Sequence, residues 1–319
     1  MSLARAIESG DLTELPSRRH EEWRWSDLAG LIRALPPASP ARDERLVVPA
    51  GASRQATLRF AAAPGEAKVS RQTIEIGDGA TLTLREDYEG ADGSFAQVDL
   101  RIALGRGAVL RRTVIADDSP DAIVVSRADI VVAPGARRAQ PVLTAGARRQ
   151  RLETRVSHPG AGAAVRLDGL YLLAGKHHAD ITTVVTHAGV DGGTDQLTKG
   201  VVRDQARGVF QGRIVVSPGA DKTDARMGHH ALILSDRAEV DAKPELEIYA
   251  DDVVCAHGNT VGALDEEALF YARQRGIPEA EARAMLIEAF VGEVVDRIEP
   301  DGARAVARAW VAARLGVVA

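Results

Sequence analysis

The stretch TIEIGDGATLTLRE, residues 73–86, sets a short run of alternating apolar and polar residues on each side of a glycine corner. Alternation with period two is the mark of a strand with one buried face. The pattern returns in QVDLRIALGRGAVLRRTVI (97–115) and ADIVVAPGARR (128–138). The corner recurs as GDGA, GRGA, APGA, HPGAGA, DGGT and SPGA, with its glycine at Gly79, Gly107, Gly135, Gly160, Gly192 and Gly219. Successive spacings are 28, 28, 25, 32 and 27 residues, a repeat signature. Glycine permits the positive φ that such corners need, and a preceding proline fixes the approach angle.

Each repeat holds about two strands and two corners, and stacked repeats bury one continuous aliphatic stripe. An antiparallel sandwich is the competing architecture, but its turns recur every 8–12 residues or so. The longer interval favours a coil of parallel rungs. Composition agrees: 45% of the 319 residues are hydrophobic but only 4% aromatic, so the core is built from Val, Leu, Ile and Ala.

Three zones follow. Residues 1–45 read as an N-terminal helical segment, with Leu3, Ala6 and Ile7 on one face and a helix over WSDLAGLIRAL (25–35) capped by Ser26. LPPASPAR (35–42) breaks it as a linker. Residues 46–262 form the parallel β-helix core. Residues 263–319 form a C-terminal helical domain, with Asp265 as an N-cap, Gly276 as a C′ stop, Pro278 in a first turn, and Asp301 capping a helix that turns Val306 and Trp310 inward. The expected fold is mainly β: a right-handed parallel β-helix flanked by short N-terminal helices and the C-terminal helical domain.

A net charge of −5 argues against general nucleic-acid binding. The basic stretch ARRAQPVLTAGARRQR (136–151) reads as solvated surface. One cysteine forms no internal disulfide, and neither a signal-peptide core nor an apolar window of membrane-spanning length stands out. The default expectation is a cytoplasmic protein away from membranes. Nucleotide-cradle, dinucleotide, nucleophile-elbow and zincin motifs are lacking, which disfavours a self-sufficient ATPase or hydrolase.

YADDVVCAHGNTVG (249–262) concentrates the chemistry. Cys255 and His257 stand two apart, so on a strand they share a face. Two readings stay open: a buried cysteine beside a hydrogen-bonded histidine, or a functional pair forming a soft-metal corner or an activated thiolate. A closed zinc or iron–sulfur site needs four ligands, and one thiolate cannot supply them. Asp251 and Asp252 point apart on a strand, so one of them could orient a neighbouring imidazole or thiol. His177, His178, His229 and His230 read as surface or rung-edge residues.

The run KPELEIYADDVVCAHGNTVGALDEEALFYARQRGIPEAEARAMLIEAF (243–290) closely resembles the C-terminal region of the SufB/SufD family of iron–sulfur cluster assembly proteins, and LPSRRHEEWRWSDL (15–28) resembles its opening segment. The form CAHGNT is similar to the SufD side. The resemblance implies a β-helix core in a complex with a SufB-like paralogue and two copies of a SufC-like ATPase, the ATPase docking on the C-terminal helical zone. It also implies a nascent cluster shared between the two paralogues, with His257 and Cys255 as this chain's contribution. No cofactor is then expected on the isolated chain, only transient iron or an iron–sulfur cluster in the complex. Asp251 and Asp252 become candidate orienting groups. Phe270, Tyr271, Arg275, Gly276 and Phe290 become the docking candidates, against the alternative that the aromatic residues merely pack helix on helix. The expected role is a non-enzymatic scaffold subunit. A homodimer in isolation stays open, as does a β-helix enzyme acting on a polysaccharide or acyl group, which the four Tyr and three Trp discourage.

Overall fold

Alternation turns every second residue of each strand inward, and parallel stacking lines those residues up from rung to rung. The computed structural model describes residues 1–158 and 161–318. It is a parallel β-helix whose rungs each contain two strands, so that two eight-stranded parallel sheets face each other. One sheet holds β1 (Arg42–Val48), β3 (Ala67–Ile76), β5 (Phe95–Leu104), β7 (Ile123–Val132), β9 (Arg149–His158), β11 (His178–His187), β13 (Arg207–Val216) and β15 (Glu239–Ile248). The other holds β2 (Ser53–Ala62), β4 (Thr81–Gly90), β6 (Val109–Ala116), β8 (Arg137–Thr144), β10 (Ala164–Leu173), β12 (Gly193–Val202), β14 (Asp224–Ile233) and β16 (Val254–Gly262). We call them the odd and even sheets.

The register keeps the repeat. Ala67 pairs with Phe95 and Phe95 with Ile123, a step of 28 residues each time. The corners take left-handed backbone, as at Gly79 (φ 65°) and Gly107 (φ 62°). One of the expected corner glycines needs correction and another is untested. Gly160 lies outside the described residues. At the next corner the left-handed residue is Asp191 (φ 56°), and Gly192 is required instead because a side chain there would strike His158 and His187.

Between the sheets runs one column of Leu, Ile, Val and Ala from Leu46 to Ala238. Some polar groups inside it are paired: Arg112 Nε and Nη2 reach Glu86 at 2.6 and 2.7 Å, and Gln140 Nε2 donates to Thr154 Oγ1 at 2.9 Å, whereas Arg138 Nε and Nη1 meet no partner among the described residues.

Both outer faces are covered in part. The N-terminal helix α1 (Leu3–Ser9) and the segment after it pack Leu3, Ile7, Leu28 and Ile32 on Val69, Phe95 and Val125 of the odd sheet. The helix expected over 25–35 does not form; the segment runs in turns. Ser26, read as an N-cap, is instead buried and donates to Asp180 Oδ2 at 2.5 Å, and Trp25 O accepts from Arg149 and His178. These contacts with the sheet replace the hydrogen bonds a helix would make.

Two arginines of the basic stretch are also not solvated. Arg138 alternates into the interior against Gln140, and Arg151 lies under Trp23, its guanidinium 4.7 Å from the ring centroid and paired with Glu153 and Asp180.

The even sheet is covered by α3 (Glu279–Asp296) and α4 (Asp301–Val318), after the shorter α2 (Glu266–Gln274). Ile287, Val291, Val294 and Trp310 pack on Leu170, Leu172, Leu197 and Val201. Asp265 caps α2 through the N–H groups of Glu267 and Ala268, and Gly276 follows at φ 84°. Asp301 opens α4 as its first residue, and Trp310 turns inward, its Nε1 donating to Asp117 Oδ1 at 2.8 Å. Among the described residues no helix is long and apolar enough to cross a membrane.

Candidate functional site

The last strand, β16, ends the even sheet and pairs on one side only, with β14. Its register places Cys255 opposite Ala225, His257 opposite Met227 and Asn259 opposite His229. Ala225, Met227 and His229 are the buried, inward residues of β14. Cys255, His257 and Asn259 therefore continue the interior column at the open end of the coil, where no further rung covers them.

Cys255 is half-buried and packs against the interior column, whereas His257 and Asn259 are exposed. Burial pushes the Cys255 thiol pKa up, against a smaller opposing pull from a backbone hydrogen bond to Ala225. At neutral pH it is a thiol, so an activated thiolate does not arise from this chain alone. Its Cα stands about 7 Å from that of His257, on the same face.

Asp251 and Asp252 lie not on a strand but in the bend between β15 and β16, both exposed. The carbonyl of Asp252 accepts from Lys222 N–H at 2.5 Å. No side-chain hydrogen bond among the described residues joins either carboxylate to His257. Nor do three or more His, Cys, Asp or Glu residues there gather in a group able to hold a metal ion. The strand thus offers one imidazole and one thiol on a rigid edge, open toward the end of the coil.

Two histidine pairs need correction. His178 is buried, its Nε2 against Trp25 O at 2.9 Å, and burial with the nearby Arg149 charge pushes its pKa down to about 3. His229 is fully buried, and burial lowers it to about 4. Phe210 stacks on it at 4.7 Å; its Nε2 meets the Tyr171 hydroxyl at 2.9 Å and its Nδ1 meets Asn259 Oδ1 at 2.7 Å. Sequence reasoning missed this chain of contacts. The signal was present in the repeat, since His229 precedes Asn259 by one rung step.

On α2, Phe270 and Tyr271 are 62% and 61% exposed, so they do not pack helix on helix. The Arg275 guanidinium lies 5.0 Å from the Tyr271 ring centroid and donates to its hydroxyl at 2.6 Å. Phe290 is elsewhere: half-buried on α3, its ring 4.4 Å from Lys199 Nζ and its carbonyl accepting from the same group at 2.9 Å. It belongs to the seam between helix and sheet. A large cleft of about 680 Å³ lies on the outer face of the even sheet, lined by Arg111, Arg137, Arg166 and Arg226, with neither His257 nor Cys255 in its wall.

The family model of the SUF system FeS cluster assembly, SufBD core domain, matches residues 59–290. The iron–sulfur cluster assembly protein SufD of Escherichia coli is 32% identical over 247 residues, 77% of this chain and 58% of that protein. An iron–sulfur cluster assembly SufBD family protein of Synechocystis is 31% identical over 226 residues, 71% of this chain and 50% of its own. SufD of Bacillus subtilis is 35% identical over 130 residues, 41% of this chain and 30% of its own. The chain thus spans roughly half the length of the first two relatives and less of the third. A core domain matched over most of the β-helix, with SufD proteins among its relatives, makes this chain a member of the SufBD family of iron–sulfur cluster assembly proteins.

Proposed function

We propose that this chain is a non-enzymatic scaffold subunit that presents His257 and Cys255 as one half of a site where iron and sulfide are assembled into a cluster. The cluster is cargo, and a SufB-like paralogue completes its coordination. The observation that carries this reading is the position of β16: an imidazole and a thiol on the last, one-sided strand of a rigid coil. Unpaired backbone along such an edge also suits it to meet a second rung from another subunit. In isolation the same edge would pair two copies of this chain. A SufC-like ATPase docks on α2, where Phe270, Tyr271 and Arg275 form an exposed aromatic and cationic patch before the Gly276 corner. Neutral imidazole is a suitable iron ligand.

The test is the His257→Ala variant in complex with both partners. Complex composition by size exclusion with light scattering should match the wild type, and cluster formation followed by visible absorbance should be lost. Wild-type cluster formation by that variant would overturn the assignment.

A further inference from the structure

Asn259 stands two residues beyond His257 on β16, on the same face of the strand, and its carboxamide is not free to turn. Behind it, His229 is fully buried with Phe210 stacked on its ring. Behind His229, Tyr171 is also fully buried, in a slot between Gly200 and Gly208 where any added side chain would collide with its ring. The three residues form one chain of contacts from the sealed core to the open end of the coil.

The direction of that chain follows from proton counting. A neutral imidazole carries one ring proton. In one arrangement the Tyr171 hydroxyl donates to His229 Nε2, and His229 Nδ1–H donates to Asn259 Oδ1. In the reverse arrangement, with the carboxamide flipped, Asn259 donates to Nδ1 and Nε2–H donates to the Tyr171 oxygen. The buried Tyr171 proton would then lack an acceptor, since His229 is the one hydrogen-bond partner of that hydroxyl among the described residues. Leaving a buried donor unmade carries its full desolvation penalty. The first arrangement therefore prevails, with Oδ1 turned inward and both Asn259 amide N–H groups turned to the open end.

We infer that Asn259 is an oriented hydrogen-bond donor of the end-face site, locked by His229 and Tyr171, and that it donates to an anionic sulfur ligand beside His257. The inference rests on the proposed cluster-assembly role. N–H donation to cluster sulfur stabilises negative charge there and tunes the cluster. His229 is a positioning residue, acting through Asn259.

Asn259→Asp is the discriminating variant. It keeps the acceptor for His229 Nδ1–H and the side-chain shape, and removes both N–H donors. In the complex with both partners it should form clusters roughly tenfold more slowly, the worth of one hydrogen bond to a charged acceptor. Partner binding should be unchanged. His229→Leu should slow the reaction similarly, and the double variant should be no slower than either single one, which a merely structural role for His229 would not produce. On the isolated chain, nitrogen-15 NMR should show His229 as the Nδ1–H tautomer in both the wild type and Asn259→Asp. An Nε2–H tautomer would overturn the orientation. Wild-type cluster formation by Asn259→Asp while His257→Ala stays inactive would overturn the donor role and leave the scaffold role standing. Wild-type rates for both would overturn the scaffold role and this inference together.

Discussion

Arg112 grips Glu86 through two hydrogen bonds, at 2.6 and 2.7 Å, inside a coil where the two side chains are 2% and 0% exposed. Arg138 is buried nearby, bonded to Gln140 rather than to a carboxylate, with the Glu86 charge favouring its cation and the Arg112 charge opposing it. Breaking a buried pair from one side leaves an uncompensated charge, at a cost of about 3–5 kcal/mol. The imbalance makes the cost unequal. Glu86→Gln should destabilise the chain more than Arg112→Met, because the first leaves two cations without a counter-charge and the second leaves Glu86 with Arg138 nearby. Denaturant midpoints of the two variants check this, and equal midpoints would count against it.

The N-terminal segment is held to the odd sheet by a second buried cluster. Asp180 accepts from Ser26, from Arg151 at 2.7 Å and from Gln211 at 3.0 Å. Ser26→Ala removes one of several donors and should cost about 1 kcal/mol. Arg151→Leu strips Asp180 and Glu153 of their shared cation and should cost about 3–5 kcal/mol. Hydrogen exchange across residues 15–32 should rise strongly in the second variant and slightly in the first.

Acid should unfold this protein through its buried histidines. His178 has a folded pKa of about 3 and His229 of about 4, against 6.5 for an unperturbed imidazole. Below 6.5 the unfolded chain takes up protons that the folded chain refuses, so stability is full above that pH and falls as pH drops toward 3 to 4. Each such histidine contributes a slope of up to about 1.4 kcal/mol per pH unit across its window. His178→Gln should flatten the loss of stability between pH 6.5 and 4, measured by denaturant titration at each pH. An unchanged slope would show that His178 is already charged in the folded state.

Phe270 and Tyr271 are exposed on α2 and do little for the fold, so their removal tests the proposed docking separately from stability. Phe270→Ala and Tyr271→Ala should leave the melting temperature nearly unchanged and weaken ATPase binding by about 2 kcal/mol each, the size of an interface hot spot. Calorimetric titration with the ATPase subunit gives the answer. Lys199→Met addresses the other side of the same helical zone. It removes the cation that holds Phe290 and Glu293, and should raise hydrogen exchange in α3.

The parts of the architecture that depend on neighbours in the chain were legible before any coordinates. Alternation around Gly79 and Gly107 specifies strand and corner, because pleat and positive φ are local properties. Asp265 and Gly276 mark the ends of α2 for the same reason. Cys255 and His257 were recognisable as neighbours on one face, since spacing on a strand fixes that much.

Whether a position is wet or dry was not legible where a distant segment decides it. Arg151 and His178 lie on the outer face of the odd sheet, and both are dry because Trp23 and Trp25, more than a hundred residues away, lie across them. His229 is dry because of rung stacking, yet it touches Asn259 on the uncovered edge. The amino-acid sequence by itself determined the repeat, the corners and the pair on the final strand. Only the tertiary structure decided which polar groups were sealed and which faced the open end, because burial is set by whatever packs on a residue, and in a coil that is the next rung or a returning terminus rather than the adjacent residue.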